Sequence, residues 1–190
     1  MHIERNRTNR TISLSQPKFL NDMKAKYPIA DGDAFPTTPI AALTKFPSKQ
    51  DAYLQQQPLT PADATDLQMC LGDALWVTSH TRPDGIYATN IAYQYGTKPT
   101  AYHMKVALRI IYYLISTAHL TLTIGGPGGI KMFATVDTSY AMHNDLKSHS
   151  CWTLHMNTGR AFLSRTKNNR LILTVPHTPN LLGHAISFER

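Results

Sequence analysis

The hydrophobic pattern of this chain changes period once, near Ala118, and the change restricts the folds open to it. Before that point apolar residues recur at helical spacing: Leu67, Cys70, Leu71, Ala74 and Leu75 form one stripe, Ile86, Tyr87, Ile91, Ala92 and Tyr95 a second, and Tyr102, Val106, Ile110, Tyr113 and Leu114 a third. Beyond it, Leu120-Thr121-Leu122-Thr123-Ile124 alternates and Ile130 to Val136 is again strand-like, with further strands expected at Cys151 to Met156, Ala161 to Ser164 and Leu171 to Val175. Helices that precede a sheet in this way specify an α+β class rather than alternating βαβ units.

Local signals set the boundaries. Thr60-Pro61-Ala62-Asp63 supplies a cap and a first-turn proline, and the helix it opens runs to about Ser79. Thr81-Arg82-Pro83-Asp84 breaks the pattern, Gly96 and Pro99 end the second helix, and Thr100 caps the third. Ile3, Arg5 and Arg7, then Thr11 to Leu14, read as a hairpin around the polar turn Asn6 to Arg10. Pro17 opens a short amphipathic helix through Phe19, Leu20, Met23 and Tyr27, stopped at Pro28. A last helix is expected over Asn180 to Phe188, capped by Thr178 with Pro179 in its first turn. The resulting organisation is a hairpin and helix over 1–28, an extended connector over 29–60 with Pro36, Pro39, Pro47 and Pro58, a helical bundle over 61–118, and a sheet region over 119–190.

The chain of 190 residues carries a formal net charge of +7, which favours a polyanionic partner. The excess sits at the ends: residues 1–28 hold six Lys/Arg against two acids, and residues 145–190 again six against two. Cys70 and Cys151 are the only cysteines and form no C-x-x-C pair, and the nine histidines lack metal-ligand spacing. The Gly125-Gly126-Pro127-Gly128-Gly129 run lacks the Lys-Ser/Thr of a phosphate loop and reads as a turn. No apolar run reaches the length of a membrane span, so no membrane partner is expected and the location expected is intracellular, cytoplasmic or nuclear.

Four blocks together resemble the Pol polyprotein of copia-type retrotransposons. They are Ile3-Glu4-Arg5-Asn6-Arg7 with Arg10 to Gln16; Thr81-Arg82-Pro83-Asp84 with Tyr87-Ala88; Pro99-Thr100 and His103 leading into Ala107 to Leu114; and Asp137-Thr138-Ser139-Tyr140-Ala141, Asp145 to Ser148 and Ser164 to Lys167. Met104 stands where the family pattern has Trp. The resemblance implies a thumb and connection region of a reverse transcriptase, followed by a truncated ribonuclease H-like sheet with one helix.

It also implies which chemistry to expect. The polymerase aspartates of the family lie in a palm motif upstream of the hairpin, and no Asp-Asp pair occurs in this sequence. Ribonuclease H chemistry needs about four carboxylates holding two Mg²⁺ ions. Asp137, at the end of an expected strand, matches the first of them as a vestige; Pro179 and Leu181 stand where glutamates should be, and a further Asp would fall beyond Arg190. The expected catalytic set is therefore none. No metal or cofactor is expected either, with Mg²⁺ entering only if ribonuclease H activity persisted, and then weakly at Asp137.

What remains is a surface for nucleic acid. Arg5, Arg7 and Arg10 on the hairpin, Lys18, Lys24 and Lys26 on the following helix, and Arg160, Arg165, Lys167 and Arg170 around the third strand of the sheet are the expected phosphate contacts, made with an RNA–DNA hybrid or another primer-template nucleic acid without sequence preference. The alternative is a protein-interaction module that docks on a full-length Pol protein or self-associates, because the first sheet strand, around Phe133 to Asp137, is expected to be an unpaired edge.

Overall fold

The computed structural model describes residues 1–29, 35–40, 58–94, 96, 99–128, 131–139, 148–157, 161–169 and 186–188. The class is α+β, with four α-helices, a three-stranded sheet and a four-stranded sheet among the described residues. Two compact units divide the chain: Met1–Ile3 with Leu14–Thr121, and Glu4–Ser13 with Leu122–Arg190. The hairpin and the helix after it, a single segment in the sequence, thus fall largely into different units.

The first unit is helical. Helix α1 (Pro17–Lys26), α2 (Pro61–His80), α3 (Ile86–Tyr93) and α4 (Ala101–Ser116) bury a common core. Leu20 and Met23 enter it from α1, Leu67, Leu71 and Val77 from α2, and Ile110, Ile111 and Leu114 from α4, all at helical spacing. At the start of α2 the Thr60 hydroxyl accepts the Asp63 backbone N–H at 3.2 Å and donates to the Asp63 carboxylate at 2.7 Å, with Pro61 in the first turn. Cys70 lies within the core, and burial pushes its thiol up to about 12, so it is held protonated and inert. Of the connector, Ile40 and Leu59 pack against the core and Leu59 N–H donates to Pro99 C=O at 2.9 Å; 30–34 and 41–57 lie outside the described residues.

Between α2 and α3 the chain turns through a short 3₁₀ segment (Pro83–Gly85). Arg82, only 2% exposed, locks this turn to the end of α4. Its Nε and Nη2 donate to the two Asp84 oxygens at 3.0 and 2.7 Å, and its Nη1 and Nη2 donate to Thr117 C=O and Oγ1 at 2.9 and 2.7 Å. Tyr113 completes the group, donating to Asp84 at 2.7 Å beneath the guanidinium. Burial works to raise the Asp84 carboxyl, but the hydrogen bonds from Arg82 and Tyr113 and the Arg82 charge outweigh it, and the net direction is down.

The second unit holds strands β3 (Leu122–Gly125), β4 (Met132–Ser139), β5 (Ser148–Met156), β6 (Ala161–Asn169) and β7 (Ile186–Phe188), and most of the hairpin β1 (His2–Asn6) and β2 (Thr11–Ser15). The sheets run β1-β2-β3 and β6-β5-β4-β7. β4, β5 and β6 form an antiparallel meander, with a register irregularity between Leu154 and His155.

Three expectations need correction here. The last three residues of the expected final helix, Ile186-Ser187-Phe188, are a strand antiparallel to Met132–Ala134, because the backbone groups on that side of β4 need partners and an apolar-polar-apolar triplet suits a strand. β4 is accordingly an interior strand, and Phe133 and Ala134 are paired on both sides instead of lying on a free edge. Asp137 sits inside β4, which continues to Ser139, and does not end it. The expected strand at 171–175, the segment 177–182 that carries Pro179 and Leu181, and Asp145 lie outside the described residues.

Candidate nucleic-acid interface

The basic hairpin is tied to the second unit by its turn. Asn9 N–H donates to Asn6 Oδ1 at 2.9 Å, and Arg10 adopts the left-handed conformation with φ 53°. The Arg10 C=O then accepts the Gly126 N–H at 3.1 Å. Gly125, at φ 104°, makes this approach possible: a Cβ there would lie 2.4 Å from the Arg10 carbonyl oxygen. Ser13 and Thr123 hydroxyls meet at 3.0 Å across β2 and β3. Arg5, Arg7 and Arg10 are all exposed, and none has an acidic partner among the described residues.

The expected cations on α1 behave differently from one another. Lys18 and Lys24 are exposed. Lys26 is already engaged, donating to Asp73 on α2 at 2.7 Å beside the Tyr27 hydroxyl, which donates to the same oxygen at 2.8 Å. The Asp73 hydrogen bond is the main reason its ammonium is pushed up, so a phosphate would have to compete for it. Burial, then the bond to Asp73, raises the Tyr27 phenol to about 12.

On the four-stranded sheet, Arg165 is exposed on β6 directly opposite Trp152, and Lys167 lies on β6 opposite Ser150. Arg160 and Arg170 lie outside the described residues. The sheet has two unlike faces. One carries Phe133, Thr135 and Asp137 of β4 with Cys151, Thr153 and His155 of β5. There the His155 ring stacks on Phe133 at 4.7 Å, and its Nε2 lies 3.0 Å from Thr153 Oγ1 and 3.3 Å from Thr135 Oγ1. Asp137 faces Cys151, whose thiol is pushed up by burial and then by the Asp137 charge, against a hydrogen bond to Ser164 that lowers it. The other face carries Ala134, Val136, Trp152, Leu154, Leu163 and Arg165.

Trp152 did not stand out in the sequence as a functional residue. Its signal was present: it is in phase with Leu154 and Met156 and out of phase with the polar Thr153 and His155. Among the described residues no group of three His, Cys, Asp or Glu side chains is placed to hold a metal ion. Elsewhere, a hollow of about 350 Å³ between α2 and the end of α3 is lined by Leu67, Gln68, Leu71, Tyr93 and Gly96.

The charge of the molecule is divided unequally between its units. The unit that contains the hairpin and both sheets' later strands holds ten Lys/Arg against four acids, and the helical unit nine against eight. Comparison with known proteins returns no matching family model, no matching curated protein and no matching solved structure.

Proposed function

We propose that this chain is a non-catalytic, nucleic-acid-binding fragment of a copia-type reverse transcriptase and ribonuclease H, which holds RNA–DNA hybrid or primer-template nucleic acid through its phosphate backbone without reading sequence. One observation carries the reading: almost the whole net charge belongs to the unit that presents Arg5, Arg7, Arg10 and Arg165 to solvent without acidic partners among the described residues. Unpaired arginines on one compact body are suited to counterion release, and each phosphate neutralised adds salt-dependent affinity. The absence of catalysis rests on the sequence, where Asp137 is the one residue matching a metal-binding acid and Pro179 and Leu181 replace two others.

Fluorescence anisotropy with a labelled RNA–DNA hybrid tests the binding. Four phosphate contacts predict about a 100-fold loss of affinity between 50 and 200 mM salt. Replacing Arg5, Arg7 and Arg10 together by Ala should lower the slope of log affinity against log salt by about 3. A flat salt profile defeats the reading. Mg²⁺-dependent cleavage of the hybrid that disappears in Asp137→Asn would defeat its non-catalytic part.

A further inference from the structure

The two faces of the four-stranded sheet pose a question that the phosphate contacts leave unanswered. A sheet with one apolar and one polar face is built to have its apolar face covered. Here Val136 and Leu163 on that face remain 39% exposed each, and Trp152 and Leu154 are only half-buried. Whatever covers the face must be apolar where it meets Val136, Trp152, Leu154 and Leu163.

Charge restricts the occupant further. The face belongs to the unit with ten cations and four acids, and Arg165 stands beside Trp152 in the row Val136, Trp152, Arg165. A second copy of the same face would bring two strongly positive bodies together and is disfavoured. The acid of the sheet, Asp137, is on the opposite face. An occupant with flat apolar surfaces and a negative backbone fits both conditions, and a single nucleic-acid strand has both: unpaired bases present π-faces, and phosphates supply the charge.

We infer that the apolar face of the four-stranded sheet is a stacking platform for single-stranded nucleic acid, with Trp152 under a base, Arg165 at the adjoining phosphate, and Val136, Leu154 and Leu163 against neighbouring bases. The inference rests on the nucleic-acid reading above and deepens it: Arg5, Arg7, Arg10 and Arg165 hold backbone of any form, whereas the apolar residues of this face select unpaired strands. A duplex hides its base faces and gains nothing from Trp152.

The chain contains two tryptophans, Trp76 and Trp152, so Trp76→Phe leaves Trp152 as the sole reporter. In that background a 20-nucleotide oligo(dT), which stacks a base on Trp152, should quench the fluorescence strongly, and an RNA–DNA hybrid of equal length, which reaches Arg165 by its phosphates alone, should quench it far less. Trp152→Ala should weaken oligo(dT) binding ten-fold or more while hybrid affinity changes less than two-fold, and Trp152→Phe should recover most of the loss. Leu163→Glu, at an exposed position, should weaken oligo(dT) binding similarly without removing the ring and keeps the test alive if Trp152→Ala fails to fold.

Unchanged oligo(dT) affinity in Leu163→Glu and Trp152→Ala, with no quenching of Trp152 in the Trp76→Phe chain, would overturn the platform while hybrid binding upheld the broader reading. Quenching by an acidic amphipathic peptide but not by oligo(dT) would reassign the face to a protein and also overturn it. Loss of binding to every nucleic acid, in the parent chain itself, would remove both.

Discussion

A guanidinium as buried as that of Arg82 is tolerable only if its N–H donors are answered, and four hydrogen bonds do so from two partners, Asp84 and Thr117. Arg82→Ala would leave Asp84 and the Thr117 carbonyl without their cation and is expected to cost about 3 kcal/mol. Arg82→Lys should recover little of that, since an ammonium cannot span the carboxylate fork and the Thr117 pair together. Urea unfolding followed by far-UV circular dichroism measures both. The sequence displayed Arg82 as part of a helix-breaking block and of one block of the family resemblance, not as a buried anchor. Its role was hidden because Thr117 lies 35 positions along the chain, and nothing local announces a contact at that separation.

Helix α4 shows how an element can carry a pH dependence from a single cap. His103, in its first turn and only 4% exposed, accepts the Thr100 backbone N–H on Nδ1 at 2.9 Å, which requires that nitrogen to be unprotonated. Burial lowers its folded-state pKa below the ordinary 6.5. The sign follows: the contribution is complete above the unfolded value and is lost as pH falls below it toward the folded one. The parent chain should be less stable at pH 5 than at pH 7 through this cap, and His103→Gln, which keeps an acceptor that does not titrate, should lose less over the same range. Guanidinium melts at the two pH values give the comparison. Elements were the most legible level of the sequence, since the hairpin and four helices follow from periodicity, prolines and cap residues. The strand at Ile186–Phe188 was not legible, because three residues show no period and only the register against β4 decides them.

At the scale of the whole molecule, the chain's charge could be counted from the sequence but not located. The hairpin joins the strand unit through Ser13–Thr123, a contact 110 residues apart, and only that closure adds Arg5, Arg7 and Arg10 to the cations of the sheet. Gly125 permits the approach of the hairpin turn because it has no Cβ. Gly125→Ala places a Cβ against the Arg10 carbonyl at positive φ and is expected to destabilise the strand unit by about 1–3 kcal/mol. The two tryptophans report on different units, Trp76 on the helical one and Trp152 on the strand one. The substitution should therefore lower the denaturant midpoint seen by Trp152 in Trp76→Phe chains and leave the midpoint seen by Trp76 in Trp152→Phe chains in place. Equal movement of both midpoints would mean that the units unfold together.

The turn that receives Gly126 has one further consequence. Glycine adopts the left-handed conformation without penalty, and a side chain there costs about 1–2 kcal/mol. At Arg10 the chain nevertheless carries a cation, with its carbonyl already committed to Gly126. The tip of the hairpin is thus a place where ease of folding and positive charge oppose each other, and this sequence resolves the conflict in favour of charge.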